Sequence, residues 1–211
     1  MIYLTGCIPK NNQMRDLLLA EGFGIMTTPF SIRTRPSLDW QWALDNGCFS
    51  NRWEEALWLR WLDKHTDRAS ALFATVPDVV SDHSATLERW EKYSEQVKGL
   101  GYRTAFVLQD GATIETIPMK QMDALFIGGS TKYKLSDEAR LIVEQCKKEG
   151  KWIHMGRVNS RRRMQIAFDW GCDSVDGTFL AFAPNANTPR LVRHMQGSKQ
   201  LNLFTNNGGK Q

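Results

Sequence analysis

The chain has 211 residues, 42% of them hydrophobic and 24% charged, with a net charge of +4, the composition of a globular protein able to bury a sizeable core. No apolar run approaches the roughly 20 residues of a membrane span, and the opening MIYLTGCIPKNN lacks the charged-then-apolar layout of an export signal. Four cysteines (Cys7, Cys48, Cys146, Cys172) form no CxxC pair, which argues against structural zinc or a disulfide framework and points to a reduced, cytoplasmic setting.

Short apolar runs then alternate with longer amphipathic stretches. MIYLTG (1–6) leads into NNQMRDLLLAEG, a helical pattern that closes on glycine. GFGIMTT (22–28) and WQWALDNG (40–47) follow, with an irregular connection between them. RWEEALWLRWLDKHTDRA carries apolar residues at three- and four-residue spacing and predicts a helix before ALFATVPD (71–78). SATLERWEKYSEQVKGLG does the same before RTAFVLQDG (103–111), whose connection to ALFIGGS (124–130) is again irregular. LSDEARLIVEQCKKEG starts at Ser136 as a candidate cap, has acids in its first turn, and ends in lysines and glycine. KWIHMGR (151–157), the helical NSRRRMQIAFDWG and CDSVDG (172–177) complete the series.

Eight near-continuous apolar strands separated by helices predict a parallel sheet with helices on its faces. No GxGxxG follows any strand, which weakens an open dinucleotide-binding sheet, and eight units favour closure. The expected architecture is α/β, a compact (β/α)8 TIM barrel without a zinc subdomain, spanning 1–190. A basic tail, 191–211, follows: from Arg190 onward Arg190, Arg193, Lys199 and Lys210 stand without an acidic residue.

In such barrels chemistry sits where strands finish. The third run presents Asp45 and Phe49, the fourth Asp78 and Asp82, and the fifth Gln109 and Asp110. The sixth presents Gly128 and Gly129, the seventh Met155 and Gly156, and the eighth ends at Asp176. Each also has a plainer reading. Asp78 and Asp82 fit the cap of the following helix, and Met155 fits a core position. Together, carboxylates, an amide, bare backbone and an aromatic describe a pocket for a flat, hydrogen-bonding ring such as a purine.

These stretches resemble the tRNA-guanine transglycosylases, and more closely their DNA-modifying relatives, the deazapurine-in-DNA transglycosylases of phages and bacteria. The family's DSGGFQ is similar to DNGCFS (45–50), its GIVQGG to FVLQDG (106–111), and its glycine pair to IGGS. Its LMGVG…GVDMFDC resembles HMGRV…GCDSVDG at 154–158 and 171–177. The resemblance covers about residues 40–180. It implies exchange of guanine in DNA for a 7-deazaguanine base, with Asp176 as nucleophile and Asp45 as general acid/base. It further implies base recognition by Asp78 (or Asp82), Gln109 and the amides of Gly128 and Gly129, with Phe49 and Met155 against the ring beside Gly156. Arg157, Arg161, Arg162, Arg163, Arg190 and Arg193 would hold the nucleic acid, although an exposed helix start explains the first cluster equally well. No metal or cofactor is implied, the partners would be DNA and the free base, and homo-oligomerisation is left open.

Three other readings stand beside this one: a tRNA substrate, an N-glycosidase or nucleoside hydrolase using water, and a barrel that binds nucleic acid without catalysis. Asp173 matches none of the implied roles and reads as structural.

Overall fold

The computed structural model describes residues 1–30 and 39–207. Lys210 of the basic tail lies outside the described residues, as does the side chain of Lys199. Eight parallel strands form a closed barrel: β1 (Ile2–Thr5), β2 (Gly24–Thr27), β3 (Trp42–Leu44), β4 (Ala74–Thr75), β5 (Thr104–Leu108), β6 (Ala124–Ile127), β7 (Trp152–Met155) and β8 (Ser174–Gly177). Each pairs with its neighbour in sequence, and β8 closes on β1 with Leu4 beside Asp176. All eight expected strands are present, and the fold is a (β/α)8 barrel. No described helix is long and apolar enough to cross a membrane.

The helices are α1 (Asn12–Ala20), α2 (Glu55–Asp63), α3 (His83–Gly99), α4 (Thr131–Lys134), α5 (Asp137–Lys148), α6 (Arg161–Asp169) and α7 (Pro184–Asn207). Their starts follow capping chemistry: Asn11, Asp82, Ser130, Ser136 and Ser160 each accept a backbone N–H from the first turn. Gly150 and Gly171 end α5 and α6 at positive φ, where a side chain would strain the backbone. The helix expected across 52–69 stops at Asp63 because Arg68 turns its guanidinium back onto the Asp63 and His65 carbonyls.

The period of two sorts the strand residues into two apolar layers. Leu4, Met26, Ala43, Phe73, Ala105 and Ala124 pack together inside the barrel, with Phe126 and Trp152 against them. Their immediate neighbours Tyr3, Ile25, Trp42, Leu44, Phe106, Leu125, Ile153, Met155 and Val175 pack with the helices outside. Alternating alanines and aromatic rings fill the small interior.

The helix α7 is not expected from the sequence because Pro184, Pro189 and the two asparagines between them, Asn185 and Asn187, look like a loop. Pro184 sits at the helix start, where its missing N–H costs nothing. Leu191, Val192 and Met195 are buried, and Gln196 bonds Glu21 beyond the end of α1, so the helix runs on past the residue taken as the start of the tail.

Candidate active site

At the C-terminal mouth of the barrel lies a cavity of about 400 Å3, within the range of small-molecule sites. Asp45, Phe49, Asp78, Gln109, Gly128, Gly129, Arg157 and Asp176 all line it. The fold therefore brings half of the residues expected from the sequence to one place, including both expected catalytic carboxylates. The sequence reading missed Asn46, Val80, Val107 and Phe126 on the walls, and Asn159 and Thr178 beside β8. Inward alternation would have found two of these, since Val107 precedes Gln109 by two and Phe126 precedes Gly128 by two.

One wall is a closed hydrogen-bond network. Asn46 Nδ2 donates to Asp78 Oδ1 at 2.8 Å and to the Val76 carbonyl at 2.9 Å, while its Oδ1 accepts the Cys48 N–H. Gln109 Nε2 donates to Asp78 Oδ2 at 2.5 Å, and Gln109 Oε1 accepts the Ser81 N–H at 2.8 Å. Each amide is thereby held in one orientation. Burial pushes the Asp78 carboxyl up, partly offset by the bonds from Asn46 and Gln109.

The opposite side carries Asp176. His154 Nε2 lies 2.9 Å from its Oδ2, and the Arg157 N–H donates to its Oδ1 at 3.0 Å. Burial acts to raise this carboxyl, but the bonds from His154 and Arg157 and the nearby Lys134 ammonium outweigh it and hold it below the ordinary range. Asp45 behaves oppositely. Burial, then the negative charge of Asp176, raise it to about 7, with the Gly47 N–H offsetting part of the effect. Two carboxylates of one cavity thus differ widely in proton affinity.

Two non-glycine residues sit in the left-handed region here, Ser81 at φ 62 and Arg157 at φ 58. Each points its backbone N–H at a cavity side chain, Ser81 at Gln109 and Arg157 at Asp176. Backbone strain at such positions persists where the surroundings impose it, and it clusters at functional sites.

Other candidates fall elsewhere. Asp82 caps α3 through the Ala85 N–H, so of the two competing carboxylates only Asp78 reaches the cavity. Met155 is fully buried among outward-facing core residues, because His154 holds the inward phase of β7, and Phe126 provides the aromatic wall instead. Gly156 is not among the residues that line the cavity but packs behind one that does, since a side chain there would strike the Phe126 ring at 2.6 Å. The Gly128 N–H bonds the Leu108 carbonyl and is not offered to a ligand.

The Arg157 guanidinium stacks 4.6 Å over the exposed Phe49 ring and bonds the Gly129 carbonyl. Arg163 holds the Arg157 carbonyl and Thr131, whereas Arg161, Arg162, Arg190 and Arg193 are exposed. Asp173 lies at the far end of β8, pairing with Lys147 and the Ile153 N–H, in keeping with a structural role. Among the described residues no cluster of three or more His, Cys, Asp or Glu side chains could hold a metal ion.

No family model matches the chain, and no curated protein matches it in sequence. Among solved structures it is similar to one described as "Native KDPGal structure", KDPGal aldolase, at 12% identity and a TM-score of 0.57, over 96% of this chain and 95% of that one. At that identity the likeness shows the barrel fold alone.

These findings correct the resemblance drawn from short motifs. No family model and no curated sequence connects the chain to transglycosylases, and the solved barrel it is similar to is not described as one, so the guanine-exchange reading and the glycosyltransferase class are withdrawn. The tRNA, hydrolase and non-catalytic alternatives gain no support either. The motif matches have a simpler origin: strand ends of any such barrel need Asp and Gly for their turns, and short Asp–Gly strings recur for that reason.

Proposed function

We propose that the protein is an acid–base enzyme acting on a small, flat substrate with a lactam edge, meaning a ring carbonyl beside a ring N–H. The observation that carries this is the split carboxylate pair, Asp45 raised to about 7 and Asp176 held low, lining one cavity. Groups pushed apart in this way suit a proton donor or acceptor near neutral pH and a permanent negative charge respectively. Protonated Asp45 passes a proton to the substrate and becomes the carboxylate, the Asp176 carboxylate faces the electron-poor centre that protonation creates, and Asp45 takes a proton back when that centre collapses.

The lactam edge follows from the locked wall. Gln109 keeps Nε2 toward Asp78 and carries a second N–H, while Asp78 retains lone pairs beyond those used by Asn46 and Gln109. A donor beside an acceptor matches a carbonyl beside an N–H. Phe49, Phe126 and Val107 supply apolar surface for the ring faces.

The test is a thermal-shift screen of heterocyclic lactams. Those that bind are then incubated with enzyme in D2O and followed by NMR for conversion or hydrogen exchange, with Asp45→Asn as control. Turnover or exchange lost in Asp45→Asn supports the reading. Binding with no Asp45-dependent change, or no binding by any lactam, overturns it.

A second reading follows the aldolase neighbour and has one observation in its favour. The Lys134 amine, buried near the Arg157 and Arg163 guanidinium groups, is pushed down to about 7, and a lysine so depressed can form an imine with a carbonyl substrate. Its Nζ bonds the Gly156 carbonyl and does not line the cavity. Borohydride reduction in the presence of a 2-oxo acid would leave a covalent adduct on Lys134 under this reading, and unmodified Lys134 would exclude it.

A further inference from the structure

The cavity lining omits a buried chain of donors and acceptors that ends on Asp176. The Trp152 indole Nε1 lies 2.9 Å from Ser174 Oγ, Ser174 Oγ lies 2.9 Å from His154 Nδ1, and His154 Nε2 lies 2.9 Å from Asp176 Oδ2. Strand register explains the alignment. His154 of β7 stands beside Ser174 of β8 and beside Phe126 of β6, all in the inward phase. His154 and Ser174 are fully buried, and the imidazole is walled by the Phe126 and Phe73 rings at centroid distances of 4.5 and 5.2 Å.

Hydrogen bookkeeping assigns the protons. Indole Nε1 can only donate, so Ser174 Oγ must accept from Trp152. Among the described residues the Ser174 hydroxyl proton then has one partner within reach, His154 Nδ1, which must be the bare nitrogen. The remaining proton of a neutral imidazole sits on Nε2 and is given to Asp176. An imidazolium would reverse the middle bond and leave the Ser174 proton without an acceptor among the described residues.

We infer that His154, set as its Nε2–H tautomer by Ser174 and Trp152, is the positioning residue that keeps Asp176 ionised and aimed into the cavity. It acts through Asp176 and does not line the cavity itself. The surroundings agree. Burial lowers the proton affinity of the imidazole against the pull of Asp176, and the Lys134 ammonium lowers it further. On Asp176 itself the other groups at hand are Lys134, the Arg157 N–H, Asp45 across the cavity and the Tyr3 phenol from β1.

The inference deepens the acid–base reading and rests on it for its purpose, yet it can be tested on the free protein without any substrate. Full-length protein labelled with 15N-histidine is examined by long-range proton–nitrogen NMR over about pH 5 to 8, where histidine ordinarily titrates. His154 should stay neutral with its proton on Nε2. An Nδ1–H tautomer, or an imidazolium at neutral pH, overturns the proposal whatever the enzyme catalyses. Aspartate 13C titrations supply the second arm. Asp176 should titrate higher by about one pH unit or more in His154→Phe, and return toward the native value in His154→Gln, whose amide can donate at the same place. An unchanged Asp176 in His154→Phe overturns it too. Should His154→Phe fail to fold, the native tautomer and His154→Gln still decide.

Discussion

Gln109 Nε2 donates to Asp78 Oδ2 across 2.5 Å, and neither side chain can turn away, because Ser81 holds the other end of the glutamine and Asn46 the other oxygen of the aspartate. The wall therefore presents its donors and acceptors in one fixed pattern. Pre-formed polar surface of this kind selects a ligand by the bonds that would go unmade with the wrong one.

Asn46 is the keystone of that wall. Replacing it with alanine removes donors to Val76 and Asp78 and the acceptor of the Cys48 N–H, all buried. Asn46→Ala is expected to lose about 2–4 kcal/mol in urea denaturation. It should also weaken lactam binding, since Asp78 Oδ1 then loses the donor that fixes it and only Gln109 still holds the carboxylate.

Asp45 makes stability fall with pH over a defined window. Its folded-state affinity, raised from 3.8 to about 7 by burial and then by Asp176, means that the folded protein holds a proton which the unfolded chain releases above the ordinary carboxylate range. The contribution is complete below about 4 and disappears as pH rises through about 7. Asp45→Asn keeps an oxygen for the Gly47 N–H and should flatten this fall, becoming more stable than the native protein above neutrality. Denaturant midpoints across that range check it.

Lys134 has the opposite sign. Its amine, lowered from 10.5 to about 7 by burial and by Arg157, is less protonated in the folded protein than in the unfolded chain between those values, so native stability rises with pH there. Lys134→Met should lack this rise. Comparing native and variant midpoints at about pH 7 and about pH 9 should show the native protein gaining relative to the variant. An equal difference at both would mean that the amine is not depressed.

Gly156 keeps Phe126 and Asp176 where they are. A methyl group there would meet the Phe126 ring at 2.6 and 2.9 Å and Asp176 Oδ2 at 3.4 Å. Gly156→Ala should cost about 1–3 kcal/mol by overpacking and push the ring into the cavity. Thermal unfolding and a crystal structure of the variant measure both effects.

Met155 and Phe126 separate core from site. Met155→Leu, on the outward layer, should cost under about 1.5 kcal/mol and leave ligand affinity unchanged. Phe126→Ala, on the inward layer, should cost about 3–5 kcal/mol and weaken ligand binding as well. Calorimetry with any lactam found to bind distinguishes the two.

Much of this was legible in one dimension because the underlying physics is local. Runs of apolar residues marked all eight strands, three- and four-residue spacing, closing glycines and the capping Ser136 marked helices, and polar residues at strand ends marked the mouth of the barrel. Asp45, Asp176, Gln109 and Asp78 were found on that ground alone. What failed was whatever depended on facing. Asp82 looked as good as Asp78, and Met155 was preferred to its neighbour His154, because a strand's inward phase is set by pairing with other strands. The helix α7 was missed because burial of Leu191, Val192 and Met195 overrides the loop-like look of its prolines and asparagines.

The sequence by itself determined the α/β class and its eight strand–helix units, since burying eight apolar strands requires a parallel sheet covered by helices. Closure into a barrel rests on the pairing of β8 with β1. Only the tertiary structure decided the chemistry at its mouth. The low affinity of Asp176, the high affinity of Asp45 and the tautomer of His154 arise from burial and from partners about 20 to more than 100 positions apart along the chain. Proton affinity is a property of surroundings, and surroundings exist only once the chain has closed.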